Sequence, residues 1–192
     1  MGELKGKVAL VTGGGQGVGQ GIAYALASEG AAVAVAGRTL KKLEATVSEI
    51  EARGGRALAI RCDVKHANEL AHTIEFCVAN LGGLQILVNN AQEVPNGLLL
   101  EVTDETFTAG FESGPLASLR LMKFAYPYLK GDGCIVNLAS TAAKRWDITG
   151  YGAYAAVKES IRSLTRAAAC EWGPDGIRTN VILPHAKSPG LM

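Results

Sequence analysis

Thr12-Gly13-Gly14-Gly15-Gln16-Gly17-Val18-Gly19 lies directly behind an apolar run, residues 7–12, and opens a helical pattern over residues 17–29. Glycines at this density let the chain turn tightly and bring backbone N–H groups close to an anion. The start of the following helix adds the positive end of its dipole. A glycine-rich run alone signals only a turn, and the strand–turn–helix setting is what makes it a phosphate cradle. The stretch therefore points to nucleotide binding within an N-terminal βαβ unit.

Outward from the turn, short apolar runs alternate with helical patterns. Residues 7–12, 32–36, 56–61, 84–89, 134–138 and 178–183 are rich in β-branched or small residues and lack strict polar alternation, as strands buried on both faces of a parallel sheet do. Between them the patterns over residues 17–29, 40–53, 66–81, 103–129 and 151–172 read as helices. This alternation predicts right-handed βαβ units in an α/β, doubly wound parallel sheet with helices on both faces. No repeat or linker divides the 192 residues, which read as a single domain.

Composition excludes several functions. With 48% hydrophobic and 19% charged residues the chain can bury a sizeable core, which excludes intrinsic disorder. Nineteen basic and eighteen acidic residues leave a net charge of +1, no footprint for nucleic acid. No apolar stretch is long enough to span a membrane, and Met1-Gly2-Glu3-Leu4-Lys5-Gly6-Lys7 contains no apolar signal segment, so a cytoplasmic protein is expected. Cys62, Cys77, Cys134 and Cys170 form no CxxC pair and the three histidines do not cluster near them; buried, reduced thiols and no metal are expected.

The glycine turn reads TGxxxGxG, and further residues follow it in order. Asp63-Val64 comes after the third strand, Asn89-Asn90-Ala91 after the fourth and Ser140 after the fifth. Tyr154-Ala155-Ala156-Val157-Lys158 supplies YxxxK, and Asn180 and Pro184 stand at and after the sixth strand. On these motifs the sequence resembles the short-chain dehydrogenase/reductase family along essentially its whole length. The resemblance implies a Rossmann-like domain, a nicotinamide dinucleotide and hydride transfer between a carbonyl and an alcohol. It implies cofactor contacts from Gly13, Gln16, Gly17, Val18, Gly19, Asn89, Ala91, Tyr154 and Lys158. Asp63 would receive the adenine amino group, with Val64 beside the ring; read without the resemblance, Asp63 is a helix N-cap.

The end of the second strand selects the cofactor. An acidic side chain there would accept hydrogen bonds from the adenosine ribose hydroxyls and repel a phosphate. This chain reads Ala36-Gly37-Arg38. Gly37 stands where an NAD-preferring relative would place its Asp, and Arg38 can take a phosphate bidentately. NADP(H) is therefore favoured, with NAD(H) a possibility, since Gln16 stands where many NADP-using relatives carry a second basic residue.

Tyr154 and Lys158 are four residues apart on one helix face, about 5–6 Å between Cβ atoms. A tyrosine of ordinary pKa, about 10, exchanges protons poorly near neutrality, and an ammonium alongside favours the phenolate. The pair is suited to give a proton to a carbonyl oxygen or remove one from an alcohol. The resemblance makes Tyr154 the general acid/base, Lys158 the residue that binds the nicotinamide ribose and lowers the tyrosine pKa, and Ser140 the hydroxyl that orients the reacting oxygen.

The sequence departs from the family in four ways. Counting back from Pro127, the position of the family's catalytic asparagine holds Gly114, which cannot hold the water of that asparagine's proton relay; Pro115 follows and is expected to break the helix. Gln92 replaces a glycine after Asn89-Asn90-Ala91, and His185 follows Pro184; with Trp146 they are candidate substrate contacts. Relatives also continue beyond this point into a substrate-covering loop, a helix and a seventh strand, so the sequence reads as C-terminally truncated. The departures leave a second expectation open, a nucleotide-binding protein with weak or no catalysis. Relatives commonly associate through the two long helices ending near Leu129 and Trp172, so a homo-oligomer, dimer or tetramer, is implied.

Overall fold

The computed structural model describes residues 2–144 and 148–184. Among them, six strands alternate with helices: β1 (Val8–Thr12), α1 (Gly17–Ser28), β2 (Ala32–Gly37), α2 (Leu40–Ala52), β3 (Arg56–Arg61), α3 (Ala67–Leu81) and β4 (Ile86–Asn89) come first. Then follow α4 (Asp104–Phe111), α5 (Ala117–Leu129), β5 (Gly133–Leu138), α6 (Gly152–Trp172) and β6 (Ile177–Ile182). The strands form one sheet in the order β3-β2-β1-β4-β5-β6, with every neighbouring pair parallel. This is the Rossmann-like doubly wound fold. The order reverses between β1 and β4, and ligands of such sheets sit at the carboxyl ends of the strands beside that point.

Side-chain alternation explains why the strands read as continuous apolar runs. In β1, Val8 and Leu10 enter one core and Ala9 and Val11 the other. The first core is closed by Leu70, Ile74 and Cys77 of α3 and by Leu121, Met122 and Ala125 of α5. The second is closed by Ala23 of α1 and by Leu43 and Ile50 of α2. A strand covered on both faces has no polar side to display.

The expected break at Pro115 does not occur. Residues Glu112–Leu116 form a π-helical turn that joins α4 to α5. The Ala117 N–H reaches back to Glu112 O, five residues earlier, so the widened turn absorbs the N–H that proline lacks. The cysteines also depart in part from expectation. All four are free, and Cys62 and Cys77 are buried, but Cys134 is half-buried and Cys170 is exposed on the outer face of α6.

A buried polar chain ties the sheet to α6. Asn89 Nδ2 donates to Asn137 Oδ1 at 2.8 Å, and Asn137 Nδ2 donates to Thr165 Oγ1 at 2.9 Å. Asn137 is fully buried, so its loss strands the Asn89 amide without water to replace the bond. Asn137→Ala is expected to lower the unfolding free energy by about 1–3 kcal/mol, read from urea denaturation.

Candidate active site

At the carboxyl end of β1, Gly13 and Gly17 adopt φ of +67° and +59°, a left-handed backbone that favours glycine. Packing explains Gly19, where a Cβ would run into Gly13 O and the Asn90 amide. The first turn of α1 contains no acidic residue, and its N-cap, Gln16, makes no side-chain capping bond. Its backbone N–H groups are thus left for an anion, with the helix dipole behind them.

The turn is held in shape by a residue the sequence reading passed over. Asn90 Nδ2 donates to Thr12 O at 2.9 Å and to Gly13 O at 3.3 Å. The N–H groups of Asn90 and Ala91 donate to Thr12 Oγ1 at 3.0 and 3.1 Å. Asn89, the expected contact, is instead buried in the chain of bonds to Asn137. The Asn-Asn pair was the available signal, but alternation at a strand end sends the two side chains opposite ways.

The turn, the end of β2 and Tyr154 border a cleft of about 370 Å³. At its far end Gly37 has room for a side chain, since a Cβ there would meet only Leu43 Cδ2 at 3.5 Å. Packing does not demand glycine at that position. Beside it, Arg38 is exposed and its Nη1 lies 2.8 Å from Glu93 Oε1, which Lys65 Nζ also approaches at 3.3 Å. Lys42 Nζ donates to Gln16 Oε1 at 2.6 Å, so a second cation stands at the glycine loop although position 16 is not basic. Lys42 comes from the first turn of α2, too far along the chain for a motif to show.

Asp63 and Val64 also line the cleft. The N-cap of α3 is His66, not Asp63. The Asp63 carboxylate accepts from Lys65 N–H at 3.1 Å, and its own N–H donates to Glu69 Oε2 at 2.8 Å.

The opposite end of the cleft gathers the expected catalytic trio. Tyr154, on the first turn of α6, is half-buried, and the Ser140 side chain just past β5 is near enough to influence its phenol. Lys158 lies one turn on, 3% exposed, with Nζ 5.5 Å from the Tyr154 ring centroid and donating to Leu138 O at 2.7 Å. Burial pushes the Lys158 amine down to about 7. Burial also pushes the Tyr154 phenol above its ordinary range, with the nearby Ser140 hydroxyl opposing the rise and Tyr151 adding to it. The lowering expected from Lys158 is therefore overturned in direction: a lysine that loses charge near neutrality pulls little, and desolvation decides. A neutral phenol beside a serine hydroxyl is a proton donor for an oxygen placed against both.

Of the substrate candidates, Gln92 lines the cleft, but its amide is engaged inward, donating to Glu93 O and Gly110 O at 2.6 and 2.8 Å. Trp146 and His185 lie outside the described residues.

A family model described as short chain dehydrogenase matches residues 7–190. The chain belongs to the short-chain dehydrogenase family. This short-chain dehydrogenase is similar to a 12α-hydroxysteroid dehydrogenase of Clostridium sp., at 39% identity over 100% of the chain and 77% of the relative. A dehydrogenase/reductase from Sinorhizobium meliloti superposes on it with a TM-score of 0.94 at 37% identity, covering 97% of the chain and 75% of its counterpart. A short-chain dehydrogenase from Burkholderia cenocepacia, solved in complex with NADP, gives a TM-score of 0.93 at 34% identity, covering 97% and 77%. No helix among the described residues is long and apolar enough to cross a membrane.

Proposed function

We propose that this short-chain dehydrogenase is an NADP(H)-dependent oxidoreductase that interconverts a carbonyl and an alcohol, with Tyr154 as general acid/base. The observation that carries the reading is the placement of Ser140 and Lys158 beside Tyr154, which borders a cleft whose other end is the glycine turn.

The residues fit a dinucleotide. The backbone of Gly13, Gln16, Gly17 and Val18 takes the pyrophosphate at the start of α1, where a Cβ on the neighbouring Gly19 would close the turn. Asp63 and Val64 hold the adenine, Ala91 borders the ribose, and Arg38 with Lys42 takes the 2′-phosphate. When bound, the nicotinamide supplies the hydride that reduces the carbonyl carbon. Ser140 donates a hydrogen bond that fixes the carbonyl oxygen, and Tyr154 delivers its phenolic proton to that oxygen. Lys158 holds the nicotinamide ribose, and its charge, when present, stabilises the phenolate left behind.

The names of two relatives, the 12α-hydroxysteroid dehydrogenase and a hydroxynaphthalene reductase of Aspergillus fumigatus, support a substrate with an apolar ring body. Exposed Phe124 and Tyr128 on α5 support a homo-oligomer, dimer or tetramer, built through that helix. We place the protein in the cytoplasm.

The test is NADPH consumption against a panel of cyclic and aryl ketones. Turnover faster with NADPH than NADH is expected. Cofactor binding without oxidation by any ketone would contradict the reading and favour a nucleotide-binding protein without catalysis, which Gly114 favours on its own.

Removing the cation and removing its carboxylate partner give opposite effects on cofactor choice. Arg38→Ala is expected to weaken NADPH binding about tenfold or more while changing NADH binding little, the loss of a charge-assisted phosphate contact. Glu93→Gln, which frees Arg38 and Lys65 from a competing carboxylate, is expected to tighten NADPH binding. Fluorescence titration of both variants with both cofactors checks the pair.

A further inference from the structure

The family's asparagine position holds Gly114, in the π-helical turn, and the structure shows what fills the space beside it. A Cβ built on Gly114 would lie 3.0 Å from both Cδ and Nε2 of Gln92, and closer still to Oε1. A side chain at 114 and the observed Gln92 conformation therefore exclude each other. Glycine at one position and glutamine at the other form a matched exchange.

The Gln92 carboxamide is also tied to the turn. Nε2 donates to Gly110 O and Glu93 O and lies 3.4 Å from Ser113 Oγ. Ser113 Oγ accepts the Glu93 N–H at 2.9 Å and donates to Ala109 O at 2.7 Å. Two carbonyl partners fix which end of the amide is nitrogen. The loop after β4 is thus pinned to the π turn, which packs against α6, the helix of Tyr154 and Lys158. Gly110 completes the contact, since a Cβ there would meet Val157 Cγ2, next to Lys158, at 3.4 Å. The oxygen Oε1 is buried and has no hydrogen-bond partner among the described residues.

We propose that Gln92 is a positioning residue for the reaction: its carboxamide, reaching in from the loop after β4, takes the place of a side chain at position 114 and holds the π turn against the helix that carries Tyr154 and Lys158. The inference rests on the proposed oxidoreductase activity. Gly114 then no longer counts as the loss of a carboxamide from the site, because the group arrives from a different element.

A double-mutant cycle tests it, using wild type, Gln92→Gly, Gly114→Asn and the double variant. Unfolding free energy, kcat, KM and the pH profile of kcat are measured for each. Gly114→Asn alone is expected to destabilise through the clash. Gln92→Gly alone is expected to lower kcat about tenfold with KM little changed and to shift the pH profile. The double variant is expected to recover stability and kcat close to wild type. Additive unfolding energies would overturn the pairing whatever the turnover. Gln92→Gly with wild-type kcat and pH profile would overturn the positioning role, even with stability lost. A wild type that binds NADPH but turns over no ketone, with the unfolding coupling intact, would instead overturn the proposed activity and with it the positioning role, leaving the pairing standing.

Discussion

Tyr154→Phe is expected to lower turnover by about 10²–10⁴-fold, the range for removing a general acid/base. NADPH binding should stay near wild type. The substitution deletes one oxygen and keeps the ring whose face Lys158 approaches at 5.5 Å, so helix packing is preserved. What disappears is the phenolic proton that the proposed mechanism gives to the carbonyl oxygen. The direction of the tyrosine shift adds a second expectation. Burial keeps the phenol protonated above its ordinary range, so reduction should proceed at neutral pH with the donor already loaded. Alcohol oxidation needs the phenolate and should accelerate as the pH climbs. Steady-state rates in both directions, with a parallel cofactor titration, check this; retained turnover in Tyr154→Phe would remove the tyrosine from the mechanism.

Lys158→Met should reveal the burial of this amine in stability as well as in rate. The folded pKa is about 7, against 10.5 for an ordinary lysine. Between these values the unfolded chain holds a proton that the folded chain has released, so stability rises with pH, by up to ~1.4 kcal/mol per pH unit. Below pH 7 both states are protonated, and the cost of burying the charge is carried in full. Toward and above the ordinary thiol pKa of 9.0, Cys62 and Cys77 act in the opposite sense. Burial raises both, so the folded chain keeps protons that the unfolded chain loses. The clean window is therefore pH 7 to 9. Wild type should gain stability across it in urea titrations, and Lys158→Met should show no such gain. Turnover of the variant should also fall, since the proposed ribose contact and the counter-charge for the phenolate would be lost together. A wild-type profile flat from pH 7 to 9 would show that the amine is not buried as described.

Much of this architecture can be read along the chain because its determinants are local. Each strand is a continuous apolar run because both faces are covered, and the glycine turn declares itself because left-handed φ and close packing admit little else at Gly13, Gly17 and Gly19. The YxxxK spacing puts Tyr154 and Lys158 on one face of any helix. Other features depend on elements distant in sequence. Which asparagine of Asn89-Asn90 faces the turn depends on strand register at the edge of β4. The supply of a second cation by Lys42 depends on how α2 docks against α1. The fate of Pro115 could not be inferred from proline chemistry alone, because a π turn accommodates the missing donor without ending the helix. The direction of the Tyr154 shift depends on burial set by the whole fold, and charge proximity along one helix pointed the wrong way.

The relation of Gln92 to Gly114 belongs with these. Each residue taken singly looked like a departure that weakens the site. Together they fill one volume, and the Gln92 carboxamide reaches the π turn from the other side.

The most direct test of the central claim is a fluorescence titration of the chain with NADPH and, separately, NADH. Saturable micromolar binding, with NADPH clearly preferred and the preference lost in Arg38→Ala, is the expected result. Absence of saturable binding by either cofactor, or preference for NADH, would contradict it.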